Sequence, residues 1–120
     1  MITEDYVTFE VAKLLREKGF NEYCEKSYSI EGKLYSNFPD DCILAPTLQM
    51  AAKWLREEHN LSIDNTCSIN GFYCSVVHIV KDKSGRIIDV EDSADWETPY
   101  YKTPEEAMDK ALKFCLEDFI

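Results

Sequence analysis

Glycine is scarce in this sequence: four residues in 120, each standing where a turn or a helix cap would use it. None is left for a phosphate loop, a G-x-G-x-x-G turn or a nucleophile elbow, and none of those motifs occurs. Histidine is scarcer still, with only His59 and His78. Cysteines number five (Cys24, Cys42, Cys67, Cys74 and Cys115), but no C-x-x-C occurs, and two histidines assemble no zinc-ligand spacing. No metal and no cofactor is expected. Basic residues fall short of acidic ones, 13 against 23, for a formal net charge of −10. Such a balance repels phosphate backbones and anionic lipid, so direct nucleic-acid or membrane-surface binding is not expected. No run approaches the ~18 apolar residues of a membrane span. The opening residues, MITEDYVTFE, are acidic where a signal peptide would be basic and then apolar. The expectation is a cytoplasmic protein. An odd cysteine count without an export signal argues against a disulfide framework.

What is present suffices for one core. The chain is 45% hydrophobic and 30% charged, which predicts a single domain over residues 1–120. A first helix is predicted within residues 4–18 from Val7, Val11, Leu14 and Leu15, with Thr3 or Thr8 as its cap. Gly19 then supplies the left-handed stop and Phe20 folds back on the last turn. Residues 23–36 read as a short hairpin turning at Glu31-Gly32, and residues 37–46 as a loop. Leu48, Ala51, Ala52, Leu55 and His59 make the stripe of a second helix, ended by Asn60.

Leu61, Ile63, Cys67 and Ile69 share one parity of a strand, and Asn70-Gly71 is the preferred dipeptide of a type I′ hairpin turn. A two-residue loop there sets Ile69 against Phe72, Cys67 against Cys74, Ile63 against His78 and Leu61 against Val80. The following DKSG turn, with Gly85 as a bulge, sets Val80 against Ile88 and His78 against Val90. Ile88 and Val90 are then expected on the buried face, with Asp89 and Glu91 outside. A last helix opens at Thr103-Pro104-Glu105-Glu106, a capping box with proline at the first helical position. Its stripe is Met108, Ala111, Leu112, Cys115 and Phe119. The order is α-ββ-α-βββ-α. The predicted fold is α+β: an antiparallel sheet, made of a three-stranded meander plus a short N-terminal hairpin, packed on one face by three helices.

Two constellations bear on function. Opposed cysteines at 67 and 74 would have Cα atoms ~5.5 Å apart, but such a pair holds its Cβ atoms wider than the ~3.8 Å of a disulfide. They read as small core residues, with a redox pair as the sharper alternative. Cys74, His78 and Cys115 are the candidate thiol–imidazole pocket. Cys74 and His78 alone stand ~13 Å apart along a strand, too far for a dyad. The second constellation is DVEDSADWE, residues 89–97, with five carboxylates. Ser93 and Ala94 interrupt the alternation a calcium loop needs, and no glycine follows. From Asp89 to Glu106 seven residues are acidic and one, Lys102, is basic. Trp96, Tyr100 and Tyr101 lie among them, and aromatics beside carboxylates suit a basic partner. The bland reading of the segment is a solvated acidic loop.

The stretches ITEDYVTFEVAKLLREKGF, LAPTLQMAAKWLREEHNLSI and YKTPEEAMDKALKFCLE resemble a family of short hypothetical proteins carried by phages and other mobile elements of gut anaerobes. The most specific part is L-A-P-T-x-Q-M-A-x-K-W-L-R-E, residues 44–57, with Leu48 and Ala52 at the variable places. The resemblance implies a phage or mobile-element accessory role, and carries over no activity and no catalytic residue.

The leading expectation is a small non-enzymatic protein-interaction module with an unidentified protein partner. Its binding residues would be Trp96, Tyr100, Tyr101, Asp92 and Asp95. The alternatives are an acidic nucleic-acid mimic that inhibits a host DNA-binding protein, and a small cysteine-dependent enzyme using the pocket named above. An outer sheet face carrying Tyr73, Val77 and Ile79 is too apolar for water. Homodimerisation, the N-terminal hairpin or a helix would cover it.

Overall fold

The computed structural model describes residues 4–36 and 42–120, and for residues 92–96 it describes the backbone. The fold is α+β. Helix α1 (Phe9–Glu17) leads to strands β1 (Lys26–Tyr28), β2 (Leu34–Tyr35) and β3 (Ile43–Ala45). Helix α2 (Leu48–His59), strands β4 (Leu61–Ser68), β5 (Gly71–Lys81) and β6 (Ile87–Glu97), and helix α3 (Pro104–Phe114) follow, and Cys115–Phe119 closes the chain in a π-helical turn. The strands form two antiparallel sheets, ordered β2-β1-β3 and β4-β5-β6.

The helix ends follow from local chemistry. Thr8, Thr47 and Thr103 cap the three helices, their hydroxyls accepting from the N–H groups of Val11, Met50 and Glu106. Thr3 lies outside the described residues. Asn60 ends α2 in the left-handed region at φ 56, which asparagine tolerates better than most residues. Phe20 is buried and its N–H reaches Leu15 O at 3.0 Å, as the helix stop at Gly19 predicts.

The loop expected over residues 37–46 contains a strand. Residues 43–45 pair with β1, and the hairpin becomes a sheet of its own. The two sheets stay separate because the helices lie between them. Helix α1 packs on β3, α3 packs on β4 and β5, and both α1 and α2 pack on α3. One core runs through all these layers: Val11 and Leu15, Ala51 and Leu55, Leu61 and Val76, Leu112 and Leu116. Asp109, buried on α3, clamps the start of α1 by accepting from Thr8 N and Thr8 Oγ1, each at 3.0 Å.

Both hairpin registers differ from expectation. In the first, Ser68 pairs with Gly71, so Cys67 faces Phe72, Asn65 faces Cys74, Ile63 faces Val76 and Leu61 faces His78. The loop is Ile69-Asn70, and of the turn residues only Gly71 has a positive φ, 125. The type I′ turn is displaced by a serine-built one. Ser68 Oγ accepts from Asn70 N at 3.1 Å and donates to Gly71 O at 3.4 Å. A slip of two residues preserves parity, so Leu61, Val76 and Cys74 remain buried. Cys67 and Cys74 are not opposed; Cys67 is exposed and Cys74 is buried.

The second turn forms as expected. Asp82 Oδ1 accepts from Ser84 N, Ser84 Oγ and Arg86 N at 2.7–2.9 Å. A bulge follows at once: Lys81 pairs with Ile87, but Val80 pairs with Asp89 and His78 with Glu91. A one-residue slip exchanges the faces. Val90 therefore lies opposite Ile79. Ile88 and Val90, expected inside, are 61% and 52% exposed.

Candidate interaction surface

The acidic segment is placed by the last part of β6. Val77 faces Asp92 and Ser75 faces Glu97, so residues 93–96 stand where β5 supplies one residue, Val76. The chain then returns to the ladder. Thr98 N donates to Cys74 O at 2.9 Å and Thr98 Oγ1 accepts from Cys74 N at 2.8 Å. Tyr101 and Phe72 exchange both backbone hydrogen bonds at 2.8 Å. Residues 97–101 thus continue the sheet edge down to the 68–71 turn.

Alternation along this edge separates the two tyrosines. Tyr100 is exposed on the outer face, its ring edge-on to Tyr73 at 5.4 Å. Tyr101 is half-buried on the helix side, packed with Cys74, Ala107 and Ala111. The five residues expected to form one surface therefore do not all do so: Tyr101 anchors the segment from within. The side chains of Asp92, Asp95 and Trp96 lie outside the described residues.

The outer face of the sheet carries Tyr73, Val77 and Ile79, as the alternation predicts; Ile87 lies on it opposite Lys81 in the expected register, and the bulge adds Val90. Val77 is buried, Tyr73 and Ile79 are half-buried, and Val90 and Ile87 are open. The signal missed in the sequence is the doublet Ile87-Ile88, which breaks strict alternation where the bulge falls. The carboxylate of Asp89 folds onto its own strand, taking the Val90 N–H at 2.8 Å.

The thiol–imidazole group is brought together only in part. Cys74 and Cys115 are both fully buried, while the His78 ring packs edge-on to Phe119 at 5.3 Å. Burial, then the Asp64 charge, pushes the Cys74 thiol up to about 11. Burial, then Cys74, pushes Cys115 up to about 12. Cys24 rises to about 11 by burial and then Glu22. A nucleophilic thiol needs the opposite shift. Cys67, exposed, should react at once with a thiol reagent, and Cys24, Cys74 and Cys115 only after unfolding. The same shifts set an alkaline limit. The ordinary value is 9.0 and the folded values are about 11 to 12, so the fold holds these thiols neutral after the unfolded chain has lost their protons. Their contribution is full below about pH 9 and is lost as pH rises through about 11 to 12. Urea midpoints measured across that range should fall, and less steeply for Cys115→Ala.

Among the described residues, no group of three or more His, Cys, Asp or Glu could hold a metal ion, and no helix is long and apolar enough to cross a membrane. No family model matches the chain, and neither a curated protein nor a solved structure matches it.

Proposed function

We propose that this protein is a small non-enzymatic interaction module that engages a basic protein partner through the outer face of β5 and β6. The observation that supports it is the apolar stripe of Tyr100 on Tyr73 and Val90 beside Ile79, lying along the acidic chain of residues 89–106. Interfaces favour such a mixture, with tyrosine and aliphatic anchors at the centre and charge at the rim. Trp96, Asp92 and Asp95 belong to the same stretch and complete the proposed binding set. The resemblance to short phage proteins adds a context: an accessory protein of a mobile element acting on a host protein in a bacterial cytoplasm.

The test is capture from host lysate with the tagged protein, followed by calorimetry with the purified partner. Trp96→Ala/Tyr100→Ala should abolish binding while leaving the circular dichroism spectrum unchanged. Undiminished binding by that variant would remove this face from consideration. A captured DNA-binding protein whose basic groove is blocked would turn the reading into nucleic-acid mimicry. A doubling of mass on concentration, reversed by Val90→Asp, would instead make the occupant a second copy.

A further inference from the structure

A second surface shares no residue with the sheet face. Two depressions, about 250 Å³ and about 400 Å³, meet along α2, and Tyr23 and Met50 line both. Tyr6, Ala45 and Pro46 wall the first, and Trp54 lies under the second. The base is held in place, because the Trp54 ring is wedged edge-on between Phe20 at 5.5 Å and His59 at 4.8 Å. Tyr23 is 76% exposed and Met50 38%. Tyrosine and methionine are the side chains protein surfaces use to anchor and to adapt.

The rim is acidic. Glu4 and Glu25 line the first depression, and Glu22, Glu57 and Glu58 the second, against a single ammonium, Lys53. Among the described residues none of these five glutamates forms an ion pair; the ion pairs seen there join Lys113 to Glu10 and Glu117. Burial, followed by the charges of Glu25 and Glu4, pushes the Tyr6 hydroxyl up. Lys26, which lines neither depression, holds its Nζ 4.9 Å from the Tyr6 ring centroid. The carboxylates are spread round the rim rather than converging, which suits positive charges distributed along a chain and not a single ion.

We infer that this groove receives a lysine- or arginine-bearing segment of a partner protein, which seats an apolar side chain between Tyr23 and Met50 and sets its charges against the glutamate rim. The apolar floor supplies the hold and the rim supplies the encounter and the orientation. The groove does not depend on the sheet-face reading.

The test uses the full chain, labelled with ¹⁵N and titrated with two short synthetic peptides of equal positive charge, one of leucine and lysine and one of glycine and lysine. The leucine–lysine peptide should shift the amides of Tyr23, Met50, Lys53 and Trp54, and the glycine–lysine peptide should leave them still. Tyr23→Ser and Glu57→Gln/Glu58→Gln, all at or near the surface, should each weaken the leucine–lysine peptide by about tenfold. Equal shifts with both peptides would reduce the site to bulk charge and overturn the inference. Shifts confined to Tyr73, Val90 and Tyr100 would also overturn it and would favour the sheet face instead. Unchanged affinity in Tyr23→Ser would remove the anchor and the proposal with it.

Discussion

Leu55→Ala is expected to lower the stability of the domain by about 3–4 kcal/mol. Leu55 is fully buried on the inward stripe of α2, between Ala51 and the chain's turn into β4. It belongs to the core that joins α1, α2, α3 and the β4–β5 strands. Removing its branched end costs the transfer free energy of the lost carbons and the contacts around the void. Helix α2 is packed against both β4 and α3, and a close-packed interior collapses only partly into such a void. A domain of this size holds about 5–15 kcal/mol in all, so the variant should lose a large share of its margin. Met50→Ala on the same helix is the control. Met50 is partly open to solvent, and its truncation should cost under about 1 kcal/mol. Urea unfolding of both variants tests this. A Leu55 loss no larger than that of Met50 would mean that α2 does not form the centre of the core.

Gly71→Ala is expected to cost about 2–4 kcal/mol and to release the segment that carries Tyr100. A Cβ at this position would lie 2.6 Å from the carbonyl oxygen of Tyr101 and 3.6 Å from the Cβ of Tyr100. The first contact is with backbone and cannot be relieved by a rotamer. The alanine would also have to adopt φ 125. The least costly response is for residues 100–101 to leave the sheet, breaking the two 2.8 Å bonds between Tyr101 and Phe72. Gly85→Ala separates the two causes. Gly85 also has a positive φ, 87, but nothing lies within 4 Å of its would-be Cβ. Only backbone strain remains there, about 1 kcal/mol. Gly71→Ala should therefore exceed Gly85→Ala by a clear margin, and it alone should weaken partner capture through Tyr100. Equal losses would mean that Tyr101 does not approach the turn so closely.

Position 71 also shows where reading the sequence succeeds and where it stops. Asn70-Gly71 signals a hairpin, and the hairpin forms. The signal does not say which pair of residues spans the turn. A serine hydroxyl at 68, able to accept the Asn70 N–H, moved the loop back by one residue and the ladder by two. Parity was unchanged, so Leu61, Cys74 and Val76 stayed inside, while Cys67 and Ile69 near the turn are exposed and the opposed pair of cysteines disappeared. The second hairpin slipped by one, and there parity did change. Ile88 and Val90 passed from expected core to open surface because the bulge arises in strand coiling after the turn, which the turn residues do not encode.

The candidate surfaces divide in the same way. Tyr100 was legible as an exposed aromatic among acids. Its separation from Tyr101 was not, since it depends on residues 97–101 rejoining the sheet edge, a pairing between segments some thirty residues apart. The groove at Tyr23 and Met50 had no sequence signal at all. It is assembled from the chain after α1, the entry to α2 and the residues near the N-terminus, whose glutamates are far apart in sequence and read singly as ordinary solvated charge.

By itself the sequence determined what depends on neighbours along the chain: three helices, the threonine cap of the last, the glycine and asparagine stops, and the turn sites. These are set by hydrogen bonds and dihedral limits within a few residues. Only the tertiary structure decided the separation of the strands into two sheets, the registers, the exposure of Cys67, and the exposure of Val90 and Tyr23. Each of those depends on which surface has another to pack against. Apolar residues left over when the core closes become surface, and no local pattern records which ones they will be.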